Sequence, residues 1–347
     1  MTLDFLLLGA PALLLLAAAI APFASRHRWG LIPRLVEAAS LGALAISVAA
    51  LALLVLHGPQ TGVLLGIGGL GFAARLDVVS ATMLALVAFV GWIVLRYSIS
   101  YLDGEARRGP FLGWMAATLA AVLLLVQGGN LFHFVVAWIA TSLCLHRLLL
   151  FYPDRVQAVR AARKKYLVAR VGDAALIGAA ALLFFGYGTA DIAAIADAAR
   201  AGVAPGGSGL AAALLALAAI LKSAQFPVHG WLTEVMEAPT PVSALLHAGI
   251  VNAGGVLLIR TADLVQASPG AMAALVAVMI MVSVATFDWH SIQPSTLRRM
   301  PKSETTVMVA TVLVTVLTHN LAIGVLVGVL LSGIFFVQKV MHMFEVE

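Results

Sequence analysis

One short stretch of this sequence gathers ionisable side chains within an otherwise apolar chain. Lys222 follows the apolar run Gly209–Leu221, and Pro227 comes five residues later. At 1.5 Å per residue the lysine lies about 20 Å along its helix, too far for its ammonium group to reach the nearer membrane interface. Burying such a charge in a membrane costs roughly 2.5–3.5 kcal/mol or more, so a functional role is expected.

Proton or cation transfer is the chemistry that these residue types suit. Pro227 lacks a backbone donor and clashes with the preceding turn, so the sequence predicts a helix broken beside Lys222. Burial and nearby carboxylates act in opposite directions on the proton affinity of an amine, which would let Lys222 load and release a proton. Further candidates for the path are Glu234 and Glu237 after the break, and His247, which could relay protons near neutral pH.

Each candidate also has a structural interpretation. Lys222 could be a static ion-pair partner, His247 a buried histidine with satisfied hydrogen bonds, and the two glutamates could face water. A second charged cluster, Lys164–Asp173, lies at the start of the sixth predicted span. Within it, Arg170 and Asp173 are three residues apart and share a helix face on which they are expected to pair. This pair either stabilises a helix interface or lets Asp173 modulate the charge on Lys222 across the bundle.

Composition predicts the fold class. Of 347 residues, 62% are hydrophobic and 11% are charged, and apolar stretches of membrane-spanning length recur throughout the chain. We therefore expect an all-α fold, a polytopic integral membrane helix bundle. The net charge of +5 comes from basic residues in short loops and not from a basic face with interleaved aromatic residues, so nucleic acid is not an expected partner. Cys144 is the only cysteine, which excludes an intrachain disulfide and a thiolate cluster, and no cofactor is expected.

Hydropathy predicts about eleven transmembrane helices, and loop charges predict their orientation. Basic residues collect after the first, third, fifth and ninth spans, so the positive-inside rule places the N-terminus outside and the C-terminus in the cytoplasm. The connections Gly58–Asp77 and Thr189–Ser208 are then expected to be Gly-rich outer loops. The predicted spans are 3–23, 35–56, 78–101, 111–128, 130–151, 165–187, 209–238 with its break at Pro227, 242–262, 271–287, 304–318 and 321–338.

The segment Lys222–Arg260, with KSAQFP, EAPTPVSALLHA and AGG, resembles the membrane antiporter-like subunits of respiratory complex I and of multisubunit cation/proton antiporters. The upstream KKYLVARVGD is similar to the sixth-span signature of the same family. Two further stretches, HGWLTEVMEAPTPVSALLHAGIVNAGG and WIATSLCLHRLLLFY, are most similar to the membrane subunits of DAB inorganic-carbon-accumulating complexes. The resemblance covers about residues 1–270 and one repeat of the antiporter fold.

This resemblance implies a transport subunit of a bacterial inner (plasma) membrane that conducts protons or sodium ions. Its implied partner is a DabA-like peripheral zinc protein, related to carbonic anhydrases, which would hydrate CO2, so the chain itself is not expected to be an enzyme. Lys222 matches the broken-helix lysine of the family, and His247 matches the histidine of the next helix. Complex I relatives carry a glutamate after the tryptophan of the fifth span, whereas Ile139 follows Trp138 here, which favours the DAB interpretation.

The last part of the chain has a different resemblance. Residues 271–347 resemble the final spans of SulP anion transporters without their STAS domain, which predicts a fusion with a boundary near 270. The alternative is that this tail is a scaffold or a recombination remnant. Gly324 and Gly328 form a small-xxx-small face on which the last two helices are expected to pack. Three other functions remain open: a respiratory or antiporter-complex subunit, a SulP-type bicarbonate or sulfate transporter, and an inert chimera.

Overall fold

The computed structural model describes residues 3–21, 31–105, 107–225, 228–234, 238–286, 302–318 and 320–344. They are mostly helical, as the composition predicts, and they divide into two compact units, Met1–Val282 and Ser283–Glu347. Within the described residues, five helices are long and apolar enough to cross a membrane, and five shorter helices are also apolar. The helices of the first unit are α1 Leu3–Ile20, α2 Leu31–His57, α3 Val78–Tyr101, α4 Arg108–Val126, α5 Leu131–Leu149, α6 Val156–Tyr187, α7 Ile192–Arg200, α8 Ser208–Lys222, α9 Gly230–Glu234, α10 Thr240–Leu245, α11 Ala253–Arg260, α12 Ala262–Gln266 and α13 Pro269–Thr286, which continues past Val282.

Each of the eleven predicted spans contains a helix or, in the seventh and eighth, a series of short helices. The largest difference in bounds is at α6, which begins at Val156 instead of residue 165. Hydropathy detects only the apolar part of a helix, whereas the arginines and lysines before residue 165 are good helix formers and continue α6 beyond that part. Helix α4 lies at the centre of the unit, packs against α1, α3 and α5, and is the most buried of the five long helices.

Two connections predicted to be irregular contain regular structure. The loop before α3 forms two small antiparallel pairs, in which β1 Gln60–Thr61 pairs with β4 Arg75–Leu76, and β2 Leu65–Ile67 pairs with β3 Leu70–Phe72. Gly68 and Gly69 make the tight turn between β2 and β3, and both have the positive φ that two-residue hairpin turns favour. In the second connection, the Asp191 side chain accepts from the backbone N–H groups of Ala193 and Ala194 and so caps α7.

The eighth predicted span is interrupted. Between α10 and α11 the chain forms one π-helical turn, Leu246–Ile250. This region packs closely on the end of α8, where the Ser223 hydroxyl donates to the Val251 carbonyl at 2.8 Å. A Cβ atom on Gly254 would lie 2.6 Å from the Ala219 carbonyl oxygen, so this approach of α11 to α8 requires glycine.

The second unit contains the hairpin of α14 Lys302–Thr318 and α15 Leu321–Phe344. The predicted small-residue face is confirmed, because Cβ atoms built on Gly324 and Gly328 would overlap the hydroxyls of Thr315 and Thr311. The unit boundary at 282/283 lies within α13 and differs from the predicted boundary near 270. The predicted boundary near 270 separates two family resemblances and not two compact units, so it stays a prediction.

One buried ion-pair network joins several elements near the start of α3. Asp77 caps α3 in a reciprocal bond pair with Ser80, at 2.8 Å in each direction. Its carboxylate contacts Arg75 of β4 at 2.9 Å and also pairs with Arg260 at the end of α11. Arg260, with a side chain only 4% exposed, donates a further bond of 3.1 Å to the Val126 carbonyl at the end of α4. The pair of Asp77 and Arg260 therefore fastens α3, α4 and α11 together.

We predict that Asp77→Ala lowers the free energy of unfolding by about 3 kcal/mol, because it leaves the buried Arg260 guanidinium without its carboxylate. Burial raises the pKa of Asp77, but the Arg260 and Arg75 charges and the Ser80 bond outweigh it and hold that pKa below 3.8. This contribution is therefore present above about pH 4 and lost as the pH falls through the lower folded-state value. Melting temperatures in detergent at pH 7 and pH 3 test this.

The matched control is Asp103→Ala, because Asp103 pairs with Arg108 at 2.9 Å but is 81% exposed. It should leave the melting temperature within about one degree of wild type, as removal of an exposed pair usually does. Equal melting temperatures for the two variants at pH 7 would contradict the role assigned to Asp77.

Candidate functional site

The predicted interruption beside Lys222 is present. Helix α8 ends at Lys222, and the next helix, α9, begins at Gly230. Ala224 lies between them with a φ of 52°, a left-handed conformation that ends a helix sharply. Pro227, to which the break was assigned, lies outside the described residues. The side chain of Lys222 turns into the bundle, where the residue is 6% exposed.

Helix α5 supplies the oxygens that bind the Lys222 ammonium group. Lys222 Nζ donates to the Trp138 carbonyl at 2.9 Å, to Thr141 Oγ1 at 2.7 Å and to Ser142 Oγ at 2.7 Å. It also lies 4.5 Å from the centroid of the Trp138 ring, within the range of a cation–π contact. An ammonium group has three donors, and these three uncharged oxygens satisfy all of them.

Helix α6 supplies the carboxylate. Asp173, with a side chain 5% exposed, pairs with Arg170 one turn earlier, so the predicted contact between these two residues is confirmed. Asp173 also interacts electrostatically with Lys222 and with Lys165. The acid near Lys222 therefore comes from α6, while position 139 of α5 is isoleucine.

Lys165 belongs to the same cluster, although no role in the site was predicted for it. The residue is 4% exposed, and its Nζ atom donates to the Ser142 carbonyl at 2.8 Å. Its position among the loop charges concealed this role. The available signal was its spacing from Asp173, since residues eight apart lie on one helix face.

Of the other predicted site residues, only His247 has a described side chain, and it is not among the groups that contact Lys222. The side chain of His247 is exposed on the π-helical turn. Glu234 ends α9, but its side chain lies outside the described residues, as does all of Glu237. A role for these three residues in an ion path stays a prediction. In the part of the chain that the structure describes, no group of three or more His, Cys, Asp or Glu side chains could hold a metal ion.

Family models match most of this chain. The model described as "NADH:quinone oxidoreductase/Mrp antiporter, TM" matches residues 128–339, and that for the "NADH-Ubiquinone oxidoreductase (complex I), chain 5 N-terminus" matches residues 66–112. Together with the helical fold and the buried lysine at a broken helix, these matches define an antiporter-like membrane protein. The chain belongs to the NADH:quinone oxidoreductase/Mrp antiporter membrane family.

Individual relatives show a finer likeness. The chain is 40% identical over 296 residues to the probable inorganic carbon transporter subunit DabB2 of Halothiobacillus neapolitanus, covering 81% of the chain and 52% of the relative. It is 47% identical over 193 residues to the probable subunit DabB of Hydrogenovibrio crunogenus, covering 54% and 37%. Among solved structures, the Mrp complex from Dietzia sp. DQ12-45-1b matches with a TM-score of 0.69 and 28% identity, over 80% of this chain and 30% of that chain. The chain thus spans about half or less of the length of these relatives.

The predicted SulP resemblance of residues 271–347 finds no support in these comparisons. The antiporter family match continues to residue 339 and so includes most of that segment. The physical reason is that apolar helices such as α14 and α15 satisfy the general requirements of any membrane span, so their residues distinguish poorly between transporter families.

We predict that Asp173→Asn destabilises the protein by about 3 kcal/mol, because it leaves the buried cations of the cluster without their carboxylate. Asp197→Asn is the matched control, since Asp197 also pairs with an arginine three residues away, Arg200, but both side chains are at least 60% exposed. Melting temperatures of the two variants in detergent measure the difference.

A double-mutant cycle with Lys222→Met tests the coupling directly. If Asp173 stabilises the Lys222 charge, Asp173→Asn should lower the free energy of unfolding by less in the Lys222→Met background than in the wild type. Additive effects would show that Asp173 acts only on Arg170 and Lys165.

Proposed function

We propose that this chain conducts protons or sodium ions across a membrane as a subunit of an inorganic carbon (CO2/bicarbonate) uptake complex. The observation that carries the proposal is the buried Lys222 amine at the end of a broken helix. Every oxygen that accepts from this amine is uncharged. An amine held in this way keeps its hydrogen bonds in both of its charge states, because a hydroxyl can donate as well as accept.

Asp173 provides a means of changing the charge on Lys222. Its carboxylate is paired with Arg170 and also interacts with Lys222. A small shift of α6 against α8 would therefore move the carboxylate toward one of these two cations and away from the other. An opposite charge that moves toward an amine favours the protonated form, and one that moves away favours the neutral form. The same movement would therefore load or unload Lys222, with His247, Glu234 and Glu237 as the proposed continuation of the path.

The likeness to the two DabB subunits supports carbon uptake as the process that uses this ion movement. The proposed partner is a DabA-like peripheral zinc protein, which would carry out CO2 hydration while this chain supplies the ion flow. We further propose that the complex lies in a bacterial inner (plasma) membrane, with the N-terminus of this chain outside and its C-terminus in the cytoplasm. The loop charges support this orientation.

A subunit of a cation/proton antiporter or of a respiratory complex is the second candidate. The match to the Mrp complex favours it, as do the descriptions of the two family models. The acidic residue near Lys222 separates the candidates, because the complex I resemblance implies a glutamate at position 139, where this chain has isoleucine. A SulP-type anion carrier is not proposed, since no comparison supports that resemblance.

Lys222→Ala should abolish ion flux while leaving the protein folded in the membrane, because the helices are held by packing and not by this amine alone. Lys222→Arg should also fail, since arginine keeps its proton at every relevant pH. Flux is measured in liposomes that contain the purified chain, with a potassium diffusion potential as driving force and dyes for internal protons and sodium. The exposed Lys164→Ala is the control and should conduct like wild type.

The proposed partner predicts the result of a purification. An affinity tag on this chain, expressed with its native neighbours and solubilised in mild detergent, should retain a second protein that contains stoichiometric zinc. Retention of quinone-module or antiporter subunits instead would favour the second candidate. CO2 hydration by the purified chain alone would contradict the division of roles between the two proteins.

A further inference from the structure

We infer that Lys165 is a second proton-carrying residue of the site and that it exchanges protons with Lys222 through Ser142. The inference rests on the proposed ion conduction and adds a residue to it. Lys165 lies on α6 and Lys222 at the end of α8, and both side chains reach the same residue of α5.

The geometry places the two amines on two oxygens of one residue. Lys165 Nζ donates to the Ser142 carbonyl at 2.8 Å, and Lys222 Nζ donates to the Ser142 hydroxyl at 2.7 Å. Both lysines are buried. A rotation about the Lys165 side chain would transfer its bond from the carbonyl to the hydroxyl without any movement of the backbone.

The charges around Lys165 favour one shared proton. Besides Lys222 on α8, the facing groups are Arg170 and Asp173 on α6, and Cys144 and His146 on α5. With both lysines protonated, three cations would face the single carboxylate of Asp173. Because excess buried charge is costly, the cluster is better balanced when only one of the two amines is charged.

Hydrogen bonding gives the transfer a direction. Within the described part of the chain, Lys222 Nζ donates to three oxygens, whereas Lys165 Nζ donates to one. An ammonium group has three donors to satisfy, so the charged form is better supported at Lys222 than at Lys165. If Lys165 served only to bond the Ser142 carbonyl, its amine would not need to be buried among other cations.

The proton step conserves all atoms and charge. With Lys222 neutral, Lys165 moves to the Ser142 hydroxyl, and its N–H bond breaks as Ser142 Oγ takes the proton. The original hydroxyl proton of Ser142 passes to the Lys222 amine, which becomes the ammonium group. Lys165 is nine residues from the start of α6, about 14 Å along the helix, and is reprotonated from that basic end of the bundle.

The test compares Lys165→Met and Lys165→Arg with the control variant Lys164→Met. Lys164 is the neighbouring residue on α6, and its side chain is exposed. Proton flux in liposomes, measured as for Lys222, should fall roughly tenfold or more in Lys165→Met, as expected for the loss of a proton-transfer group. Lys165→Arg should fall equally, because it keeps the charge but does not release a proton. Lys164→Met should conduct like wild type.

A second pair of variants keeps both lysines and tests the shared residue. Ser142→Ala removes the hydroxyl and should lower the flux, whereas Ser142→Thr retains it and should restore most of the flux. This pair remains informative if Lys165→Met does not fold. Full flux in Ser142→Ala would overturn the inference.

The outcomes also separate this inference from the proposed function. If flux is lost in Lys222→Ala but retained in Lys165→Met, the role of Lys165 is overturned and the proposed function stands. The same holds if Lys165→Arg conducts, because a buried cation at position 165 would then suffice. Flux retained in both Lys222→Ala and Lys165→Met overturns the proposed function and this inference with it.

Discussion

Burial of the Lys222 ammonium group is the constraint on which the geometry of the candidate site depends. Three oxygens must converge on one atom, so α5 places Trp138, Thr141 and Ser142 at a spacing of three and four residues on one face. The carboxylate comes from α6, which packs against α8.

The parts of the site predicted from the sequence were those with a strong local cause. A lysine in an apolar helix before proline predicts a break, and charges three residues apart predict a pair, as found for Arg170 and Asp173. The acceptors on α5 could not be predicted, because serine and threonine in a membrane helix usually bond their own backbone. Lys165 was missed because loop charges and buried charges look alike where a helix continues beyond its apolar part.

His247 shows a second limit of sequence reasoning. A helix of 3.6 residues per turn allows the face of each residue to be counted from its neighbours, but one π-helical turn adds a residue and rotates everything beyond it. The turn Leu246–Ile250 contains His247 and leaves its side chain exposed. The apolar helices were predictable because hydropathy averages over many residues, whereas the π-helical turn depends on a few.

The pair between Asp77 and Arg260 has a consequence for the order of synthesis. The two residues are 183 positions apart, so the loop before α3 leaves the ribosome long before its partner exists. At typical rates of 5–20 residues per second, the delay is roughly 10–40 seconds. During that time α3 and α4 occupy the bilayer without their fastening to α11. The pair between Asp77 and Arg260 can therefore form only after α11 has been synthesised and inserted.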